Sequence, residues 1–275
     1  MIDPALYLPI VAALLVAGAL VGFLAGVFGI GGGAISVPVF FEVYRILGQP
    51  DATAMPLAVG TSLAVIVPTA LNSARGHYLR GSVDLDLLRL WALPILGGVS
   101  AGALIASVSA PAVFQIAFVI VAAVNATKLL TGGAGWRLSD HLPGRWVLRA
   151  YGAVIGLLSA LMGIGGGAIS TLVMTLHGVA IHRAVSTSAG VGVLIAVPGT
   201  IGYIIAGWGT PGLPADATGF VSWLTFAIVL PASLLTTRFG VRVAHRLSRR
   251  TLETAFGLFL LTICLRFAVE IVAGG

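Results

Sequence analysis

Two nearly identical passages hold the residues best suited to chemistry: Gly29-Ile30-Gly31-Gly32-Gly33-Ala34-Ile35-Ser36 and Gly163-Ile164-Gly165-Gly166-Gly167-Ala168-Ile169-Ser170. Glycine costs a helix interior about 1 kcal/mol relative to alanine, so three in a row predict that one helix stops and another starts. The first turn of the new helix leaves backbone N–H groups without intrahelical partners, and with the helix dipole these favour an anion. On this reading Gly31, Gly32, Gly33 and Ser36 make one half of an anion cradle, and Gly165, Gly166, Gly167 and Ser170 the other, the serines adding hydroxyl donors. The competing reading is close helix packing, the role expected of Gly18, Gly22 and Gly26 at four-residue spacing.

A second pair of passages, Ala58-Val59-Gly60-Thr61-Ser62 and Ala184-Val185-Ser186-Thr187-Ser188, brings the hydroxyls of Thr61, Ser62, Thr187 and Ser188 into apolar surroundings. There they line a pathway or bond back to their own helices. Glu42 is the one carboxylate well inside an apolar run, and it is either a proton carrier or an ion pair with Arg45 three residues on. Arg75 and His77 close another run and are candidates for a gate at its mouth, although anchoring at the membrane surface explains Arg75 equally well. The amides of Asn72 and Asn125 suit hydrogen bonds between helices. His77, His141, His177, His182 and His245 lack metal-ligand spacing, and no zinc-protease run, nucleophile elbow or phosphate loop occurs. No metal, cofactor or catalytic residue is expected, and the single Cys264 forms no internal disulfide.

The elements that position these residues follow from composition. Of 275 residues 58% are hydrophobic and 9% charged, with mean hydropathy +1.07, where a soluble chain carries about 25% charged residues. The chain is expected to be an integral membrane protein. Its net charge of +6 resides in short connectors rather than on a basic face, which points to the membrane surface and not to nucleic acid. The amino terminus lacks the positive region of a cleaved signal and is expected to be a retained membrane segment. Long continuous apolar runs favour helices over a barrel. They cover residues 5–28, 34–47, 53–75, 87–108 and 111–130, then 148–163, 168–180, 184–206, 219–237 and 252–272. The second run of each set is too short to span comfortably.

Gly31 and Gly165 are offset by 134 residues, and Thr61 and Thr187 by 126, so the chain reads as two repeats whose connectors differ in length. The expected division is residues 1–130, a cytoplasmic linker at 131–146, and residues 147–275. Arginine and lysine favour the cytoplasmic side. Connectors carrying Arg75, Arg80 and Arg89, then Lys128, Arg137, Arg145 and Arg149, then Arg238, Arg242, Arg246, Arg249 and Arg250 share one side only if the repeats are inverted. Five passes per repeat give the same inversion, with both termini outside and Arg45 and Arg266 as exceptions. The expected fold is all-α, with two inverted repeats of about five segments and eight to ten membrane segments in all.

These motifs together resemble the TauE/SafE family of bacterial membrane proteins, across nearly the whole chain. The resemblance is carried by the Gly-Ile-Gly-Gly-Gly passages at 29–33 and 163–167, Pro38, the Ala-Val-x-Thr-Ser motifs, and Pro198-Gly199-Thr200-Ile201-Gly202-Tyr203. It implies a transporter of the bacterial inner membrane that moves sulfite, sulfonates or other small anions. Leu172 in place of Pro38 and Ser186 in place of Gly60 depart from the first copy, so the two halves need not be equivalent. The expected activity is export of a small anion, sulfite or an organosulfonate, with the lipid bilayer as surroundings and a homodimer compatible with the sequence. A proton-coupled importer using Glu42 and a scaffold without transport are the alternatives.

Overall fold

The computed structural model describes residues 4–28, 33–131, 136–244, 246 and 248–273. Among these, each apolar run becomes a helix: α1 (Pro4–Phe28), α2 (Gly33–Ile46), α3 (Asp51–Leu79), α4 (Leu85–Val108), α5 (Pro111–Leu130), α6 (Arg145–Met162), α7 (Gly167–Leu176), α8 (Ile181–Ala206), α9 (Trp223–Ala244) and α10 (Arg249–Ala273). A hairpin of two short strands, β1 (Ala217–Thr218) and β2 (Val221–Ser222), precedes α9. Seven helices, α3 to α6 and α8 to α10, are long and apolar enough to cross a bilayer. The protein is thus an all-α, multi-pass membrane protein. At 14 residues α2 reaches about 21 Å, short of the roughly 30 Å hydrocarbon layer, and α7 has only 10 residues.

The broadest helix pairings are preserved when α1–α5 are exchanged with α6–α10. The broadest interfaces join α1 to α9 and α6 to α4, which exchange with each other, while the α3/α8 and α5/α10 pairs map onto themselves. Glycine sets the first two seams. A Cβ at Gly18 would lie 2.9 Å from Val229 Cα, and one at Gly22 would collide with Ser233 O. At the same 134-residue offset, Gly152 packs on Trp91 and Pro94, and a Cβ at Gly156 would collide with Ile95 O. Packing is therefore the role of Gly18 and Gly22, since lipid gives helices no hydrophobic reason to associate and close approach must supply the attraction.

One interface breaks this regularity. α4 lies along α8, whereas its counterpart α9 only brushes α3. α3 is wholly buried from Ala54 to Ile66, but Leu71, Asn72, Ser73 and Arg75 are exposed beyond that.

The charged residues separate by end. At one end α2 closes on α10, where Arg45 meets Asp51 at 3.0 Å and Glu270 at 3.0 Å, Arg266 meets Glu42 at 2.5 Å, and Gln115 of α5 donates to Glu270. At the other end α7 finishes beside the last turn of α5, where Lys128 Nζ donates to Thr175. The two short helices therefore finish at opposite ends of α5. The amides depart from expectation: Asn72 is exposed, and Asn125 donates to Val121 O in its own helix. A carbonyl one turn back is always within reach of a short polar side chain, so no partner helix is needed.

Candidate functional site

The start of α2 meets the second glycine break. Gly31 and Gly32 lie outside the described residues, but Gly33 opens α2 against the second break: a Cβ there would be 2.8 Å from Ile164 Cα and 3.1 Å from Gly163 O. The second break is fully described. α6 ends at Gly163 in the left-handed region (φ 62°), and α7 is preceded by Gly166, also left-handed (φ 70°). These are conformations that side chains other than glycine rarely take.

An accounting of backbone donors shows what the turn leaves open. Ile164 N–H bonds Ser159 O, Gly166 N–H bonds Ile164 O, and Ser170 N–H bonds Gly166 O. The N–H groups of Gly165, Gly167, Ala168 and Ile169 have no acceptor among the described residues. Gly165, Gly167 and Ala168 are half-buried, and no described atom lies within 4 Å of a Cβ placed on Gly167. Such donors at the positive end of a helix are arranged for negative charge. A further group was missed in the sequence. Ser159, fully buried in the last turn of α6, has a hydroxyl without a partner among the described residues, and its Oγ lies 3.3 Å from the Cβ position of Gly166. Nothing in an isolated serine within an apolar run distinguishes it from one bonded to its own helix.

The hydroxyls singled out in the sequence are buried, and the protons of the four serines are engaged. Ser170 donates to Gly166 O at 2.7 Å. Ser36 reaches Gly33 O at 3.2 Å and Ser62 Oγ at 2.5 Å, and Ser62 donates to Gly163 O at 2.8 Å, tying α2 and α3 to the second break. Ser188 donates to Val185 O in its own helix. Thr61 and Thr187 act between halves. Thr61 accepts the N–H of Ser222, the cap of α9, and Thr187 accepts the N–H of Asp84, the cap of α4, each at 3.0 Å. Both caps also receive the N–H three residues into their helices, Thr225 on Ser222 and Leu87 on Asp84. The difference between Gly60 and Ser186 follows: a Cβ at Gly60 would collide with Phe220 O, while Ser186 meets His77 Nδ1 at 3.0 Å.

The remaining candidates lie apart from the breaks. Glu42 pairs with Arg45 at 3.5 Å as well as with Arg266, within the charged end described above. His77 is held by Ser186, and Arg75 is exposed on the uncovered part of α3.

Comparison with known proteins agrees with this architecture. The family model described as Sulfite exporter TauE/SafE matches residues 14–267. A protein of Haemophilus influenzae named "Probable membrane transporter protein" is 31% identical over 93% of this chain and 97% of its own length. Proteins with that designation from Methanocaldococcus jannaschii and Bacillus subtilis are 26% and 21% identical, over 90% and 91% of this chain and 94% of each relative. No solved structure matches.

Proposed function

Since the chain belongs to the sulfite exporter TauE/SafE family of membrane transporters, we propose that its cargo is a small anion, sulfite or an organosulfonate, and that the meeting point of the two breaks receives it. The observation that carries this reading is the set of N–H groups on Gly165, Gly167, Ala168 and Ile169 without an acceptor among the described residues, on the break that Gly33 of α2 abuts. Irregular backbone at membrane depth persists where it lines a cavity, and paired broken helices in two halves mark the binding site of many transporters. The hydroxyl of Ser159 adds a donor that has no partner among the described residues. Within this proposal the halves are inverted in the bacterial inner membrane, with the arginine-rich end in the cytoplasm and both termini outside. The finish of α2 and α7 at opposite ends of α5 supports that arrangement.

Export needs no coupling ion. Moving one charge down a membrane potential yields about 2.3 kcal/mol per 100 mV, so a negative interior expels a monoanion. The chain's own part is to replace the anion's hydration shell by fixed amides and to exclude competing water.

Flux of sulfite, sulfoacetate and thiosulfate from liposomes under an imposed voltage tests the reading. Gly167→Ala, which has ordinary φ and no described neighbour for its methyl, should leave thermal stability unchanged and weaken anion affinity about tenfold by covering the amides, which corresponds to about 1.4 kcal/mol. Ser159→Ala should also weaken affinity without loss of stability, because it removes a hydroxyl that has no partner among the described residues. Folded protein that carries none of the three anions at either polarity refutes the proposal and favours a scaffold, and unchanged flux in Gly167→Ala removes the anion from the break.

A further inference from the structure

Ile66 and Gly192 occupy equivalent positions on α3 and α8, four residues beyond Ser62 and Ser188. Their surroundings match: Ala70 corresponds to Ala196 and Val67 to Val193, and these residues pack together with Ile66 where the two helices cross. The pair itself does not match. Ile66 Cδ1 lies 3.0 Å from the Cβ position of Gly33, and its Cγ2 lies 2.8 Å from that of Gly165, so one branched side chain rests on both breaks at once. Gly192 is buried, with Gly165 O at 3.3 Å and Ala70 Cβ at 3.4 Å from its Cβ position, and it carries no side chain of its own, while its neighbours Val191 and Ile195 lie on Gly166.

The same inequality recurs at two other scales. One turn before Ile66, Ser62 bridges to Ser36 and to Gly163 O, which fastens that side of the meeting point, whereas Ser188 turns its proton to its own helix. Along the helices, α3 is sealed as far as Ile66 and exposed from Leu71 to Ser73, on the side that α9 leaves uncovered. We infer that Ile66 is the plug that closes the anion path toward the end of the molecule where α3 begins, and that the path runs instead toward the arginine-rich end, where α3 is exposed from Leu71 to Ser73 and α8 offers only Gly192 opposite Ile66. This rests on the transport reading above. A branched aliphatic plug suits the task, because it denies an anion both space and hydrogen bonds yet can leave by a rotamer change rather than by breaking a polar network.

The test uses the full chain in liposomes with Cys264→Ser, which removes the sole native thiol, and Gly167→Cys as reporter. A membrane-impermeant maleimide is applied from either face. With Ile66 in place the reporter should react from the arginine-rich face alone; with Ile66→Gly it should react from both, its rate from the opposite face rising at least tenfold. Ile66→Val, which keeps the branch at Cβ, should preserve the one-sided pattern and exclude a general loosening. Labelling from both faces or from neither while Ile66 is present, or no change in Ile66→Gly, overturns the plug. Sulfite flux by the unmutated chain is scored separately. A labelling change without flux removes the cargo and leaves the plug, and flux without a labelling change does the reverse.

Discussion

In each half a threonine early in the third helix accepts the backbone N–H that caps the fourth helix of the other half, Thr61 from Ser222 and Thr187 from Asp84. The residues just beyond do not correspond. Ser62 reaches across to Gly163 whereas Ser188 stays within its helix, and Ile66 lays a branched side chain on Gly33 and Gly165 where its equivalent is Gly192. The features shared by the halves are the fastenings between them: the threonine-to-cap bonds and the glycine seams of α1 with α9 and α6 with α4. The features that differ lie at the meeting of the breaks. A frame built twice with unequal linings can hold one route shut while the other stays open, which is the requirement of alternating access.

That comparison can be broken most forcefully at the seams. Gly22→Val and Gly156→Val each drive a side chain into a backbone carbonyl of the facing helix, Ser233 O or Ile95 O. Each should cost about 3 kcal/mol, read as a fall in melting temperature in detergent. If one is tolerated and the other is not, the two seams are not equivalent fastenings. Next come Thr61→Val and Thr187→Val, which preserve shape but leave the N–H of Ser222 or Asp84 without its acceptor. The expected loss is about 1–3 kcal/mol, with Thr61→Val at the higher end because Ser222 is buried whereas Asp84 is partly exposed. A larger loss at Thr187 would reverse the assigned order of burial.

The smallest effect is expected at Glu42→Gln. Glu42 shares its end of the molecule with two arginines and two further carboxylates, and pairs of this exposure contribute about 0–1 kcal/mol. Sulfite flux should be nearly unchanged from pH 6 to 8. Abolished flux in folded Glu42→Gln protein would instead make Glu42 a proton carrier and favour coupled import.

Much of the architecture was legible from residues alone. All ten segments were recognisable because lipid demands long apolar runs, and the second break because Gly163 to Gly167 is unsuited to continue a helix. The ion pair of Glu42 with Arg45 was legible as well, being a neighbour pair along one helix. Arg45 and Arg266 stood as exceptions to the charge rule, and the structure pairs both with carboxylates, Glu42, Asp51 and Glu270, at one end of the molecule. The roles of Thr61 and Thr187 were hidden, since their partners are 161 and 103 residues away and reside in the opposite half. The choice between pathway and self-bonding offered for them omitted a third use, capping another helix.

By itself the sequence determined the class of protein, the segments, the repetition and the places where helices must break. These depend on transfer to lipid and on backbone propensity, both of which act over a few neighbouring residues. Only the tertiary structure decided that Gly33 meets Gly163, that Ser159 has no partner among the described residues, and that Ile66 rests on both Gly33 and Gly165. Those facts depend on which surfaces face one another, and in a bilayer small residues and buried hydroxyls make that choice through contacts remote along the chain.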